Sequence, residues 1–279
     1  MELLKIKLFG RFELEYGGLT LFNFGSSKAQ ELAGYLLLHR NRAFLREALA
    51  EWLWGQDPIV QGKKSMRQAI WEIQSTLKGR PQTSELQLLQ VTLHWIQFNP
   101  NLACELDTAE FEKSFNGAQG LSVADLSEQQ IERLQNAQAL YHGDLLEGWY
   151  RDWCAGERER FRDMYVVILE KLMVYSEINH QYEAGLDYGT RILNCDRALE
   201  SAHQYLMRLY YLSGYRVKAL RQFERCQAIL REELGVSPSL QTLRLYEQIK
   251  ADKPEELTPL TRRRSTDLFP ATSENGARA

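Results

Sequence analysis

Apolar and polar positions alternate over the start of the chain. In LLKIKLFG, Leu4, Ile6 and Leu8 point one way and Lys5 and Lys7 the other, a period of two that predicts a strand. RFELEYGG repeats the pattern with Phe12, Leu14 and Tyr16, Gly17-Gly18 supplies a turn, and LTLFNF reads as a third strand. Together they predict a small antiparallel sheet with one covered face.

The period then lengthens. SSKAQELAGYLLLHRN begins with serines able to cap a helix and places Leu32, Ala33, Leu36 and Leu37 on one face. FLREALAEWLWG predicts a second helix closed by Gly55 and followed by Pro58. A third is predicted over residues 62–78, GKKSMRQAIWEIQSTLK, with Met66, Ala69, Ile70, Ile73 and Leu77 in one buried stripe. After Gly79 and Pro81, ELQLLQVTLHWIQFNP alternates like a hairpin. Three strands, three helices and a hairpin within residues 1–100 fit a winged helix-turn-helix domain with an added N-terminal sheet.

Residues 101–250 read as helical almost throughout, with turn signals at Gly117–Gly120, His142-Gly143, Asn179-His180 and Ser213-Gly214. YEAGLDYGTRIL and RVKALRQFERCQ superimpose at an offset of 34, which sets Gly185-Leu186 on Ala219-Leu220 and Arg191 on Arg225. That is the tetratricopeptide period, in which stacked helix pairs share a core. The fold class expected is therefore mainly α with a small β component, a winged helix-turn-helix followed by an all-α tetratricopeptide-like domain. The tail, 251–279, is rich in Pro, Thr, Ser and charge without an apolar period and reads as disordered.

Composition sharpens this picture in three respects. The formal net charge is −3, yet residues 1–100 hold 12 Lys and Arg against 9 Asp and Glu, and the remainder 22 against 28. The asymmetry points weakly to nucleic acid for the first half. The four cysteines, Cys104, Cys154, Cys195 and Cys226, lie too far apart for a zinc knuckle or redox dithiol and read as reduced residues of a cytoplasmic protein. No apolar run approaches the roughly 20 residues of a membrane span.

The third helix carries the candidate chemistry. Opposite its apolar stripe stand Lys64, Gln68, Trp71, Ser75 and Lys78, flanked by Lys63 and Arg67. Lys and Arg neutralise phosphates, Gln can bond an adenine edge in two places, and an indole can pack on a thymine methyl or a sugar. A solvated outer face would look similar; the helix's place, third before the hairpin, favours the groove. Glu72 is unfavourable near phosphates. Lys28 and Arg46 sit in the first turns of the first two helices, where free N–H groups favour phosphate. The wing, LLQVTLHW, contains no Lys or Arg.

Catalytic patterns are missing from the sequence. His39, His94, His142, His180 and His203 form no HExxH pair, and there is no nucleophile elbow and no phosphate loop, so neither an enzyme nor a cofactor is expected. Asp144 and Glu147 near His142 read as the start of a helix at GDLLEG. ERERFR reads as an exposed ladder of i,i+3 and i,i+4 ion pairs.

The chain resembles the Streptomyces antibiotic regulatory protein type of bacterial transcriptional regulators. The resemblance rests on SSKAQELAGYLLLHRN, LREALAEWLW and KKSMRQAIWEIQSTL in the first half. In the second half it rests on YHGDLLEGWYRDWCAGERERFRDMY and on ESAHQYLMRLYYLSGYRVKALRQFERCQAILREELGVSPSLQTLRLYEQI. It covers about residues 3–250. It implies a DNA-binding regulator, with the recognition role on Lys63, Lys64, Arg67, Gln68 and Trp71 and a bacterial transcriptional activator domain behind it. The implied partners are double-stranded DNA, RNA polymerase or another regulatory protein, and a second protomer on direct repeats. Family members commonly carry further arginines where this chain has Glu72 and Gln74, and a more polar wing, which bears on affinity. The competing expectation is a protein-interaction adaptor that has lost useful DNA affinity.

Overall fold

The computed structural model describes residues 3–21, 25–55, 58–78 and 86–253. The chain divides into two compact units, the first reaching Glu110 and including His142–Ala155, the second comprising Phe111–Tyr141 and the residues from Gly156 on.

The first unit opens with β1 (Leu4–Lys7), β2 (Glu13–Tyr16) and β3 (Leu19–Leu21), paired antiparallel as the alternation predicts. Leu4, Ile6, Leu8 and Leu14 are buried, while Lys7 pairs across the sheet with Glu13 and Glu15. The sheet is not purely antiparallel, however. A fourth strand, Cys104–Leu106, joins parallel to β1, so the order is β3-β2-β1 and then this late strand. Parallel neighbours are joined by long crossovers and leave no local turn signature. Residues 22–24 of the expected third strand lie outside the described residues.

Three helices follow: α1 (Ser27–Leu38), α2 (Arg46–Trp54) and α3 (Ile59–Lys78). Ser26 caps α1 by accepting from the Ala29 amide at 3.3 Å. Phe44 and Leu45, expected at the start of the second helix, instead form the short strand β4. The helix α3 begins three residues earlier than its sequence pattern suggested, because Gly62 can donate back to the Pro58 carbonyl at 3.0 Å. Its stripe of Met66, Ala69, Ile70 and Ile73 is buried as the 3.6-residue period requires. The hairpin forms as β5 (Leu89–Val91) and β6 (Trp95–Phe98), and β4 extends it to three strands in the order β4-β6-β5. The late strand of the first sheet is β7 (Cys104–Leu106).

GDLLEG does not start a helix. The Leu146 amide donates to the Leu8 carbonyl at 2.8 Å, Gly10 donates to Asp144 at 2.9 Å, and Glu147 donates to Gly10 at 2.7 Å. Leu145 and Leu146 are buried, and Trp149 meets Phe12 edge-on at 6.0 Å. These backbone bonds draw 142–155 into the first unit although its sequence lies among helices.

The second unit contains most of α4 (Asp107–Ala118) and of α6 (Asp152–Ile178), with α5 (Glu128–Leu140), α7 (Tyr182–Cys195), α8 (Glu200–Leu212), α9 (Arg216–Ile229) and α10 (Leu240–Lys250). A capping box of Ser127 and Gln130 starts α5. The 34-residue repeat is carried by the backbone: α7 and α9 begin 34 residues apart and end 34 residues apart, as do the ends of α6 and α8. The left-handed turn residues His180 (φ 56) and Gly214 (φ 80) fall at the same offset. Gly185 and its repeat mate Ala219 are both buried where helices approach closely. Phe161, Tyr165, Ile168, Leu169 and Leu172, spaced at helical intervals along α6, are buried in the core. ERERFR is less exposed than a simple ladder: Arg160 bonds Glu157 at 2.8 Å but also Glu112 of α4 at 2.9 Å, and lies over Phe161.

Candidate nucleic-acid interface

The amphipathic period that buries Met66 and Ile73 turns the other side of α3 to solvent. Lys64, Arg67, Gln68 and Trp71, at helical spacings of three, one and three residues, share that exposed face. The side chains of Lys64 and Arg67 have no ion pair or hydrogen bond among the described residues, and Trp71 is 63% exposed with no described ring stacked on it. Two exposed cations and an exposed indole thus share one face of a rigid element.

The other expected residues are engaged to different degrees. Lys63 is exposed but pairs with Glu47 of α2 at 2.7 Å, and that bond holds the Glu47 carboxyl below its usual range. Gln68 donates to Glu72 at 3.0 Å, along the helix. Ser75 is half-buried, its hydroxyl donating to the Glu72 carbonyl at 3.0 Å. Lys28 turns to the buried Glu31 at 3.2 Å, a carboxylate also met by Arg151 at 3.4 Å and the Trp153 indole N–H at 3.2 Å. Arg46 donates through Nη1 to the carbonyls of Thr92 at 2.9 Å and Leu93 at 3.2 Å. Its own amide donates to the His94 carbonyl at 2.8 Å, so the first N–H of α2 is occupied within the protein. Lys28 and Arg46 therefore serve internal contacts here. The side chain of Lys78 lies outside the described residues.

Glu72 has a role that residue type alone did not reveal. Its Oε2 accepts from both the amide and the hydroxyl of Ser26 at 2.8 Å, fixing the start of α1 to α3. The Ser26 amide, above all, lowers the Glu72 pKa. Gly25, at φ +71, makes room: a Cβ there would lie 2.5 Å from Glu72 Oε2. Glu72 is spent on capping, not left to repel phosphate.

The wing carries its own geometry. Thr92 donates to the Trp95 carbonyl at 2.9 Å and its hydroxyl accepts from the Trp95 amide at 3.1 Å, leaving Leu93 and His94 at the tip. Leu93 is 80% exposed. Gln74 of α3 donates to the Leu89 carbonyl of the wing at 3.5 Å. Arg46 of α2 holds the Leu93 carbonyl and its neighbour Glu47 pairs with Lys63, so tip, α2 and the Lys63 end of α3 border one surface. Neither Leu93 nor the Arg46 brace was singled out by the sequence reading; an apolar residue at a two-residue turn was the available signal.

A sheet, three helices and a hairpin, joined to an all-α unit of 34-residue repeats, define a winged helix-turn-helix regulator with a tetratricopeptide-like domain. Residues 106–250 match the family model of the bacterial transcriptional activator domain, and the chain belongs to that family. It is 24% identical over 278 residues to the transcriptional regulatory protein MoaR1 of Mycobacterium tuberculosis, covering 95% of this chain and 85% of that one. It is 24% identical over 238 residues to the regulatory protein AfsR of Streptomyces griseus, of whose length that match spans 24%. Mycobacterium tuberculosis EmbR, solved in complex with a low-affinity phosphopeptide, shares the fold with a TM-score of 0.73 at 19% identity, over 91% of this chain and 66% of that one. No helix among the described residues is long and apolar enough to cross a membrane.

Proposed function

We propose that this transcriptional activator reads the major groove of double-stranded DNA with the open face of α3. Lys64 and Arg67 meet phosphates or guanine edges, Gln68 exchanges its Glu72 bond for an adenine edge, and Trp71 packs on a thymine methyl or sugar. Lys63, bridged to Glu47, is a nearby cation that swaps partner on binding, and Ser75 borders the face. The observation that carries the reading is the exposed pair Lys64 and Arg67, without ion pairs among the described residues, on the helix opposite the buried stripe. In a chain of net charge −3, a small cationic face gives a modest grip that a second protomer on a repeated site strengthens. The activator domain then meets RNA polymerase or another regulatory protein, in the cytoplasm.

Binding to duplexes from the upstream region of its own gene, measured across salt, tests this. Affinity should fall steeply from low to moderate salt, and the double variant K64A/R67A should bind more weakly with a shallower slope. Retention of no duplex at low salt, or a double variant that binds unchanged, would refute it and leave the adaptor reading.

A further inference from the structure

The wing is the odd part of a DNA-binding unit, because its described residues contain no Lys or Arg with which to hold a phosphate. It instead offers Leu93, 80% exposed at the apex of a two-residue turn, flanked by Trp95 and its cross-strand partner Leu45, each 48% exposed. An exposed leucine at a tip gains nothing for folding.

Yet the tip is braced. Arg46 Nη1 holds the Thr92 and Leu93 carbonyls, the Arg46 amide holds the His94 carbonyl, and Thr92 closes the turn on Trp95. The Arg46 Nε is buried and has no partner among the described residues, so the brace leaves one polar group unsatisfied there. A fixed apolar tip loses little entropy on entering a narrow site. The tip also borders the surface that carries Lys63, because Arg46 holds the Leu93 carbonyl and the next residue, Glu47, pairs with Lys63.

We infer that Leu93 is an apolar wedge that enters the minor groove beside the segment read by α3 and partly unstacks one base step. This rests on the reading of α3 as the groove-entering helix. Inserted Leu, Phe or Ile side chains kink duplexes, and the cost is least at pyrimidine–purine steps. Arg46 is then a positioning residue for the wedge, and the operator carries a flexible step, TA or CA, under the wing. Specificity arises there without a hydrogen bond to a base.

The test uses the full chain and a duplex selected by it from a random-sequence pool, end-labelled for energy transfer, with 2-aminopurine under the wing. Wild type should bend the duplex and brighten the 2-aminopurine. L93S should lose about tenfold in affinity together with both signals, while L93M should keep them. Moving an A-tract under the wing should weaken wild type and leave L93S unaffected. An L93S protein that binds and bends like wild type, while K64A/R67A is weakened, overturns the wedge and spares the α3 reading. An L93S defect confined to two-site duplexes, with single-site binding intact, makes Leu93 a contact between protomers and equally overturns the wedge. Should K64A/R67A bind unchanged, both inferences fall.

Discussion

Glu72, in the middle of α3, closes the N-terminus of α1 through Ser26, with amide and hydroxyl both 2.8 Å from one carboxylate oxygen. An acidic side chain on the helix proposed to enter the groove thus stabilises the domain that presents it. Replacing it by alanine removes a charged acceptor at a helix start and should cost about 1 kcal/mol, lowering the urea midpoint. The variant E72K, which a charge argument alone would favour for DNA binding, should show the same loss of stability.

The Ser26 contact also sets a pH dependence. Glu72 has its native pKa lowered from the ordinary 4.5, chiefly by the Ser26 amide. The folded state therefore binds fewer protons than the unfolded chain, and the contribution is fully present above that value. It is lost as pH falls through the lowered native pKa. Urea midpoints of wild type and E72Q should differ at pH 7 and converge as the pH drops below 4.5. A gap that persists in acid would mean the carboxylate charge is not what holds Ser26.

How much of this was legible follows from the range of the interactions. The period of two in β1 and β2 and the 3.6-residue period of α3 are local, so the sheet, the buried stripe and the exposed basic face could all be read from residue types. The 34-residue offset was visible as two short matching segments, and the helix ends repeat it. What could not be read were partners distant in sequence: Cys104–Leu106 beside β1, Leu146 bonded to Leu8 just past the first strand, and Glu72 on Ser26. Lys28 and Arg46 show the converse limit. A basic residue in a first helical turn suits phosphate equally well until its carboxylate or carbonyl partner is seen.

Arg46 and Lys64 should separate cleanly in a salt titration. Lys64, exposed on α3, should lower the slope of log affinity against log salt by about one when replaced by alanine. Arg46 holds the Thr92 and Leu93 carbonyls, so R46A should weaken binding by loosening the wing and leave the slope nearly unchanged. Equal drops in slope for the two variants would make Arg46 a phosphate contact after all.

Opposite signs are expected for one substitution at two helical glycines of the repeat unit. Gly156, in α6, is exposed, and a Cβ there meets nothing within 4 Å. G156A should therefore stabilise the protein by about 0.5–1 kcal/mol, the helix propensity difference. Gly189, in α7, is buried, and a Cβ there would lie 2.6 Å from Leu206 Cδ2 and 3.1 Å from Met173 Sδ. Both neighbours are core residues with little room to move, so crowding should outweigh the propensity gain and G189A should cost about 1–2 kcal/mol net. Thermal unfolding of the two variants reads the difference directly. A stabilised G189A would show that α7 can move away from α6 and α8 to admit a methyl, and that the small residue does not set its spacing from them.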